Sequence, residues 1–114
     1  MELRVIQADG VLTHVALCGR LDLRGVSEIE NRFVFTTTSR RVPVVVDLSE
    51  VEFIASLGIG MLVSAAKALT RQGLELVLLA PPGLARETLE IAGVTRVVPT
   101  AADMESARAL IARA

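Results

Sequence analysis

Residues 42–60 read Val42-Pro-Val-Val-Val-Asp-Leu-Ser-Glu-Val-Glu-Phe-Ile-Ala-Ser-Leu-Gly-Ile-Gly60. The opening run, Val42–Leu48, is short, apolar and rich in β-branched residues. It predicts a buried strand, with Pro43 tolerable only near its first residue. A second run of the same kind is Leu74–Ala80, just after Gly73. Between the two runs, the spacing of Ile59, Leu62, Val63, Ala66 and Leu69 predicts a helix over 57–71 with those residues as its core stripe. Strand, helix and strand at this separation form a βαβ unit, whose crossover is right-handed.

The flanks extend the same architecture. Leu3 and Val5, then Val11, Thr13, Val15 and Leu17, alternate along the chain, which is strand spacing. Asp9-Gly10 between them is a hairpin signal, because both residues tolerate positive φ. An antiparallel hairpin is therefore predicted over 2–8 and 11–18. His14 reads as a strand histidine near a sheet edge. Val26, Ile29 and Phe33 share one helical face and predict a helix over 24–38, with Asp22 in its entry turn. After Pro81-Pro82-Gly83 a further helix carries Leu84, Ala85, Leu89, Ile91 and Ala92 on one side and stops at Gly93. Arg96–Pro99 reads as a short final strand. A last helix is predicted over 103–113, with Met104, Ala107, Leu110 and Ile111 inward. The order ββαβαβαβα gives an α/β fold: a mixed sheet of about five strands with about four helices. One domain is expected over 1–114.

Composition excludes several classes of function. Apolar residues are 52% of 114 and charged residues 22%, unlike a disordered chain. Aromatics are 3%, with no Trp or Tyr, so no row of rings exists to stack single-stranded bases. Twelve Lys and Arg against thirteen Asp and Glu leave a formal charge of −1, with no basic footprint for duplex DNA or an anionic membrane. Cys18 and His14 are single, which excludes an internal disulfide, a cysteine-based zinc cluster and a histidine-rich metal site. The first residues lack the pattern of a signal peptide, and no run approaches the ~20 apolar residues that span a bilayer. A cytoplasmic protein without membrane insertion is expected.

The candidate site lies where the run ending at Leu48 gives way to the 57–71 helix. Ligands favour that edge of an open α/β sheet. Ser56 stands at the helix start, where an N-cap serine is common and where a phosphoryl group would meet free N–H donors. With Leu57 at zero degrees, Met61, Ser64 and Ala68 fall within about 40° of it, away from the stripe of Leu62 and Leu69. Leu57 and Met61 are thus expected to be exposed beside Ser56 as a protein-binding patch. Gly58 and Gly60 give only G-x-G, and no P-loop exists. His14 is too far away for a Ser/His/Asp arrangement. Asp47, Glu50 and Glu52 read as a solvated loop rather than a metal site. No catalytic residue and no cofactor are expected, so the chain is read as a non-enzyme.

The sequence resembles the STAS domain, and within it the bacterial anti-sigma factor antagonists. The matching pieces are Gly19-Arg-Leu-Asp22, Asp47-Leu-Ser-x-Val-x-Phe-Ile54, Ser56-x-Gly-x-Gly60, Gly73 and Ala92-Gly-Val94. The resemblance covers essentially the whole chain. It implies an antagonist in a partner-switching cascade. In it, an anti-sigma factor that is also a GHKL-type serine kinase binds the unphosphorylated antagonist and releases it on phosphorylation. A PP2C-type phosphatase resets the serine. The matching phosphoacceptor is Ser56, and the implied partner-binding residues are Asp22, Ala55, Leu57, Gly58 and Met61. Two positions depart from the usual pattern: Ala55 stands in place of Asp, and Leu57 in place of a small residue. STAS domains also serve as accessory subunits of ABC-type lipid transporters, which is the alternative reading.

Overall fold

A computed structural model describes residues 1–112. The chain runs β1 (Glu2–Ala8), β2 (Thr13–Leu21), α1 (Leu23–Thr38), β3 (Val44–Ile54), α2 (Ser56–Arg71), β4 (Leu76–Leu79), α3 (Gly83–Ile91), a 3₁₀ turn (Val94–Arg96), β5 (Thr100–Ala101) and α4 (Met104–Ala112). The five strands lie in chain order, β1 to β5. β1 and β2 are antiparallel, and β2 to β5 are parallel. This is the mixed sheet, hairpin and βαβ succession that the sequence predicts.

Side-chain alternation sorts the core into two layers. Val15, Leu17, Val44, Val46, Leu76 and Leu78 join Val26, Ile29 and Phe33 of α1, Leu62 and Leu69 of α2, and Ala85 and Leu89 of α3 in the larger cluster. Val45, Val77, Leu79 and Ala101 meet Ala107 of α4, with Met104, Leu110 and Ile111 packed at its margin. Val44, Val45 and Val46 are all fully buried, as a parallel strand covered on both faces requires. The predicted end of the last helix at residue 113 lies outside the described residues.

Several local expectations are corrected. The hairpin loop is four residues, 9–12. The Asp9 carboxylate accepts the N–H groups of Val11 and Leu12 at 2.8 and 2.9 Å, and this side-chain turn replaces a two-residue primed turn. His14 sits on β2 between β1 and β3, not at a sheet edge. Leu84 and Ile91 of α3 are exposed, leaving Ala85 and Leu89 as its buried contacts. The final strand is Thr100–Ala101, because Gly93 in the left-handed region (φ 79°) starts a 3₁₀ turn over Val94–Arg96.

The largest correction concerns 49–54, which form strand rather than loop. In β3, Ala16 pairs with Asp47 but Cys18 with Glu50, and Gly19 pairs with Val51 but Arg20 with Phe53. Each step inserts one extra residue in β3, so the strand carries two β-bulges. The inward positions change spacing accordingly, from Val44, Val46, Leu48 to Val51 and Ile54. Glu50 and Glu52 point to solvent from this bulged strand.

Candidate functional site

The carboxyl ends of β2 and β3 and the first turns of α1 and α2 meet at one corner. Ala55 N–H donates to the Leu21 carbonyl at 2.9 Å, which ties the start of α2 to the end of β2. Two glycines permit the approach. A Cβ on Gly25 would lie 2.0 Å from the Arg20 carbonyl oxygen, and one on Gly58 would lie 2.7 Å from both Cγ and the carbonyl oxygen of Leu21. Neither contact is tolerable for a larger residue. α1 thus rests on the Arg20 carbonyl, and α2 on the carbonyl and side chain of Leu21.

Asp22 caps α1. Its carboxylate accepts the Gly25 N–H at 2.9 Å. That bond holds the carboxyl below the usual carboxylate range against the opposing effect of burial, and Arg20 Nε at 3.4 Å adds a lesser lowering. The Arg20 guanidinium also lies over the Phe53 ring, 4.5 Å from its centroid. Arg20 and Phe53 were not singled out by the sequence. The signal was present, since Arg20 lies inside Gly19-Arg-Leu-Asp22, but the stack depends on the second bulge that sets Phe53 opposite it.

The start of α2 differs from the sequence reading. Its N-cap is Ala55, with no side-chain hydrogen bond, and Ser56 is the first helical residue. Ser56 is therefore not a capping serine. Its side is exposed, and the first turn of α2 holds no acid. Leu57 is 52% exposed beside it, as expected. Met61 is not: it is 5% exposed and belongs to the core cluster. The buried stripe of α2 is Gly58, Met61, Leu62, Ala65, Ala66 and Leu69, while Ile59 and Val63 are only half-buried. The helix is rotated because Gly58, lacking a side chain, must face Leu21, and Met61 follows it one turn later. Met61 forms part of the lining of a groove of about 300 Å³ between α1 and α2, with Val34, Leu57, Gly60 and Ser64.

The structure thus brings Asp22, Ala55, Ser56 and Leu57 together at the surface, with Gly58 and Met61 beneath them. His14 lies elsewhere on β2, and burial pushes its imidazole below the ordinary value despite the nearby Asp47. Cys18 is partly buried, and the neighbouring Glu50 carboxylate, then burial, push its thiol up. Among the described residues, no group of three or more His, Cys, Asp or Glu side chains is placed to hold a metal ion, and no helix is long and apolar enough to cross a membrane.

A family profile described as "Mlab, STAS domain" matches residues 5–99. The chain belongs to the STAS domain family. An anti-sigma factor antagonist from Mycobacterium paratuberculosis superposes with TM-score 0.83 at 22% identity, over 96% of this chain and 92% of its own. The anti-sigma factor antagonist SpoIIAA in its unphosphorylated form superposes with TM-score 0.77 at 17% identity, over 96% of each chain. Murine Slc26a9, an anion transporter, matches with TM-score 0.74 at 15% identity, over 90% of this chain but 18% of its own. At these identities the likeness is one of fold. This STAS fold occurs both in free-standing regulators and inside a transporter.

Proposed function

We propose that this STAS protein is a cytoplasmic anti-sigma factor antagonist whose Ser56 is the phosphoacceptor of a partner switch. The observation that carries the reading is the exposed Ser56 on an uncapped helix start, with exposed Leu57 and the half-buried Asp22 and Ala55 around it. The partner is an anti-sigma factor of the GHKL serine kinase type, and a PP2C-type phosphatase reverses the modification. The chain acts as a binding protein and as the substrate of those enzymes.

The physics of release is local. A phosphate at Ser56 adds about −1.5 to −2 charges. A partner that buries Leu57 would have to desolvate that charge, and each 1.4 kcal/mol lost is about tenfold in affinity. Free N–H groups at the helix start favour the modified serine itself. Ala55 removes a negative charge that an aspartate there would place beside the phosphate.

A second reading is an accessory subunit of an ABC-type lipid transporter. A STAS fold also lies inside the anion transporter Slc26a9, and Ala55 and Leu57 depart from the antagonist pattern at the two positions flanking Ser56. Affinity purification of the tagged chain separates the two. Recovery of an ATP-binding serine kinase, with one phosphate found on Ser56 by intact-mass analysis and site mapping, supports the antagonist. Recovery of an ATPase together with a membrane permease supports the transporter subunit.

A further inference from the structure

We infer that the free edge of β1 is a docking edge for a second copy of this chain, and that Arg32 holds it shut. β1 ends the sheet: it pairs with β2 on one side, and among the described residues no strand pairs with its other side. In an antiparallel edge strand every second residue turns its N–H and C=O away from its neighbour. The bond that Arg32 makes shows which residues these are. Its Nη1 donates to the Leu3 carbonyl oxygen at 3.0 Å, reaching from α1 to the edge, so Leu3 and Val5 are the outward residues. An edge that presents such groups beside apolar side chains is a template for another strand. Val5 and Ile6 are 42% and 56% exposed, and Phe35, three residues after Arg32 on the same flank of α1, is 73% exposed.

Charge selects a second copy as the occupant and fixes the register. Two β1 strands can pair antiparallel about a two-fold axis with Leu3 opposite Leu3. Glu2 of each copy then faces Arg4 of the other, on the sheet face away from α1, and opposite charges facing across a strand pair are stabilising. The neighbouring register, with Leu3 opposite Val5, sets Arg4 against Arg4. In the free chain Arg4 Nε bonds Glu2 of its own strand at 2.6 Å, and both side chains are more than half exposed, within reach of a second copy. The pairing with β2 shifts between Val5 and Gln7, so β1 bends there and its regular edge ends at Val5.

The Leu3 carbonyl is the centre of that pairing. It has to accept the Leu3 N–H of the second copy, and the Arg32 guanidinium stands where that N–H would arrive. Arg32 therefore closes the edge, as charged side chains do on edge strands of soluble domains. With Arg32 turned away, two five-stranded sheets join end to end. Among the strands, α1 packs chiefly on β2. The two α1 helices would then stand three strand spacings, ~14 Å, apart, which leaves room between them for Arg32 and Phe35 of both copies.

The test is sedimentation equilibrium of the full chain and its variants at neutral pH. Arg32→Ala, and Arg32→Met, which keeps the bulk of the stem but no donor, should each raise the self-association constant at least about tenfold over the parent. Arg32→Lys keeps a donor and should raise it less. Added to Arg32→Ala, Glu2→Lys should return the chain to monomer, because a cation then faces Arg4. Adding Glu2→Arg together with Arg4→Glu should restore the dimer, since the swap re-forms both pairs. Hydrogen exchange at the Leu3 amide should slow in the dimer. Equal self-association of the parent and both donor-free Arg32 variants overturns the inference. So does a dimer that Glu2→Lys leaves intact or that the charge swap does not restore. Circular dichroism checks that each variant is folded, and the two Arg32 substitutions guard against one failing to fold.

Discussion

Ser56 is the exposed first residue of α2, and Met61, five residues on, is buried in the core. Since Ala55 rather than Ser56 occupies the cap of α2, Ser56→Ala should leave the melting temperature unchanged while removing the proposed phosphate acceptor. Thermal denaturation and phosphosite mapping of one variant read both effects; a marked loss of stability would mean that the hydroxyl holds the helix. Met61→Asp buries an unpaired charge in the core and should unfold the protein. Leu57→Asp should leave the melting temperature intact and weaken partner binding. Gly58→Ala should cost about 1–3 kcal/mol by overpacking against Leu21, measured by chemical denaturation. The sequence reading put Ser56 at the start of α2 and Leu57 exposed beside it, and the structure has both there. It misplaced Met61 because an angular projection needs an origin. The origin here is set by a backbone contact at Gly58, which no hydrophobic periodicity records.

At the scale of elements, legibility followed the clarity of the period. α1, α2, the early part of β3 and the parallel pairing with β4 were readable because apolar spacing and β-branched runs agree there. The second half of β3 was not. Its two bulges turn a two-residue spacing of buried positions into a three-residue one, which is the signature of neither a strand nor a full helix. β5 was displaced for a related reason: it makes only two paired positions, Thr100 and Ala101, too few to leave a pattern. The bulges have a consequence that can be measured. They set Phe53 opposite Arg20. Deleting Glu52 should remove the second bulge and leave Val51 and Ile54 two residues apart, both facing the core. Hydrogen exchange at Ala55, whose N–H is bonded to Leu21, should then stay slow. A marked rise in exchange at Ala55 would show that the start of α2 depends on the bulge itself.

For the whole molecule, the charged groups fix how stability varies with pH. Burial depresses the His14 pKa, and its Nε2 is buried without a hydrogen-bond partner. The unfolded chain therefore takes up a proton first. The stability associated with a neutral His14 is present above about pH 6.5 and is lost as pH falls below it. Asp9, Asp22 and Asp103 have carboxyls held low chiefly by backbone N–H donors, those of Val11 and Leu12, of Gly25 and of Ser106. Their contribution is present above about pH 3.9 and is lost as pH falls through that value. Denaturation midpoints measured from pH 8 to pH 3 should decline in two stages, and His14→Leu should remove the upper one. Across the same molecule, the carboxyl edge of the sheet gathers the exposed serine, the leucine beside it and the Arg20–Asp22 pair, and on this edge the account of function stands. The most direct measurement is the affinity of the chain for the proposed ATP-binding kinase partner, compared by isothermal titration between unmodified protein and protein carrying phosphoserine at position 56. The account predicts that the phosphorylated form binds at least about tenfold more weakly. Equal affinities, or tighter binding of the phosphorylated form, would contradict it.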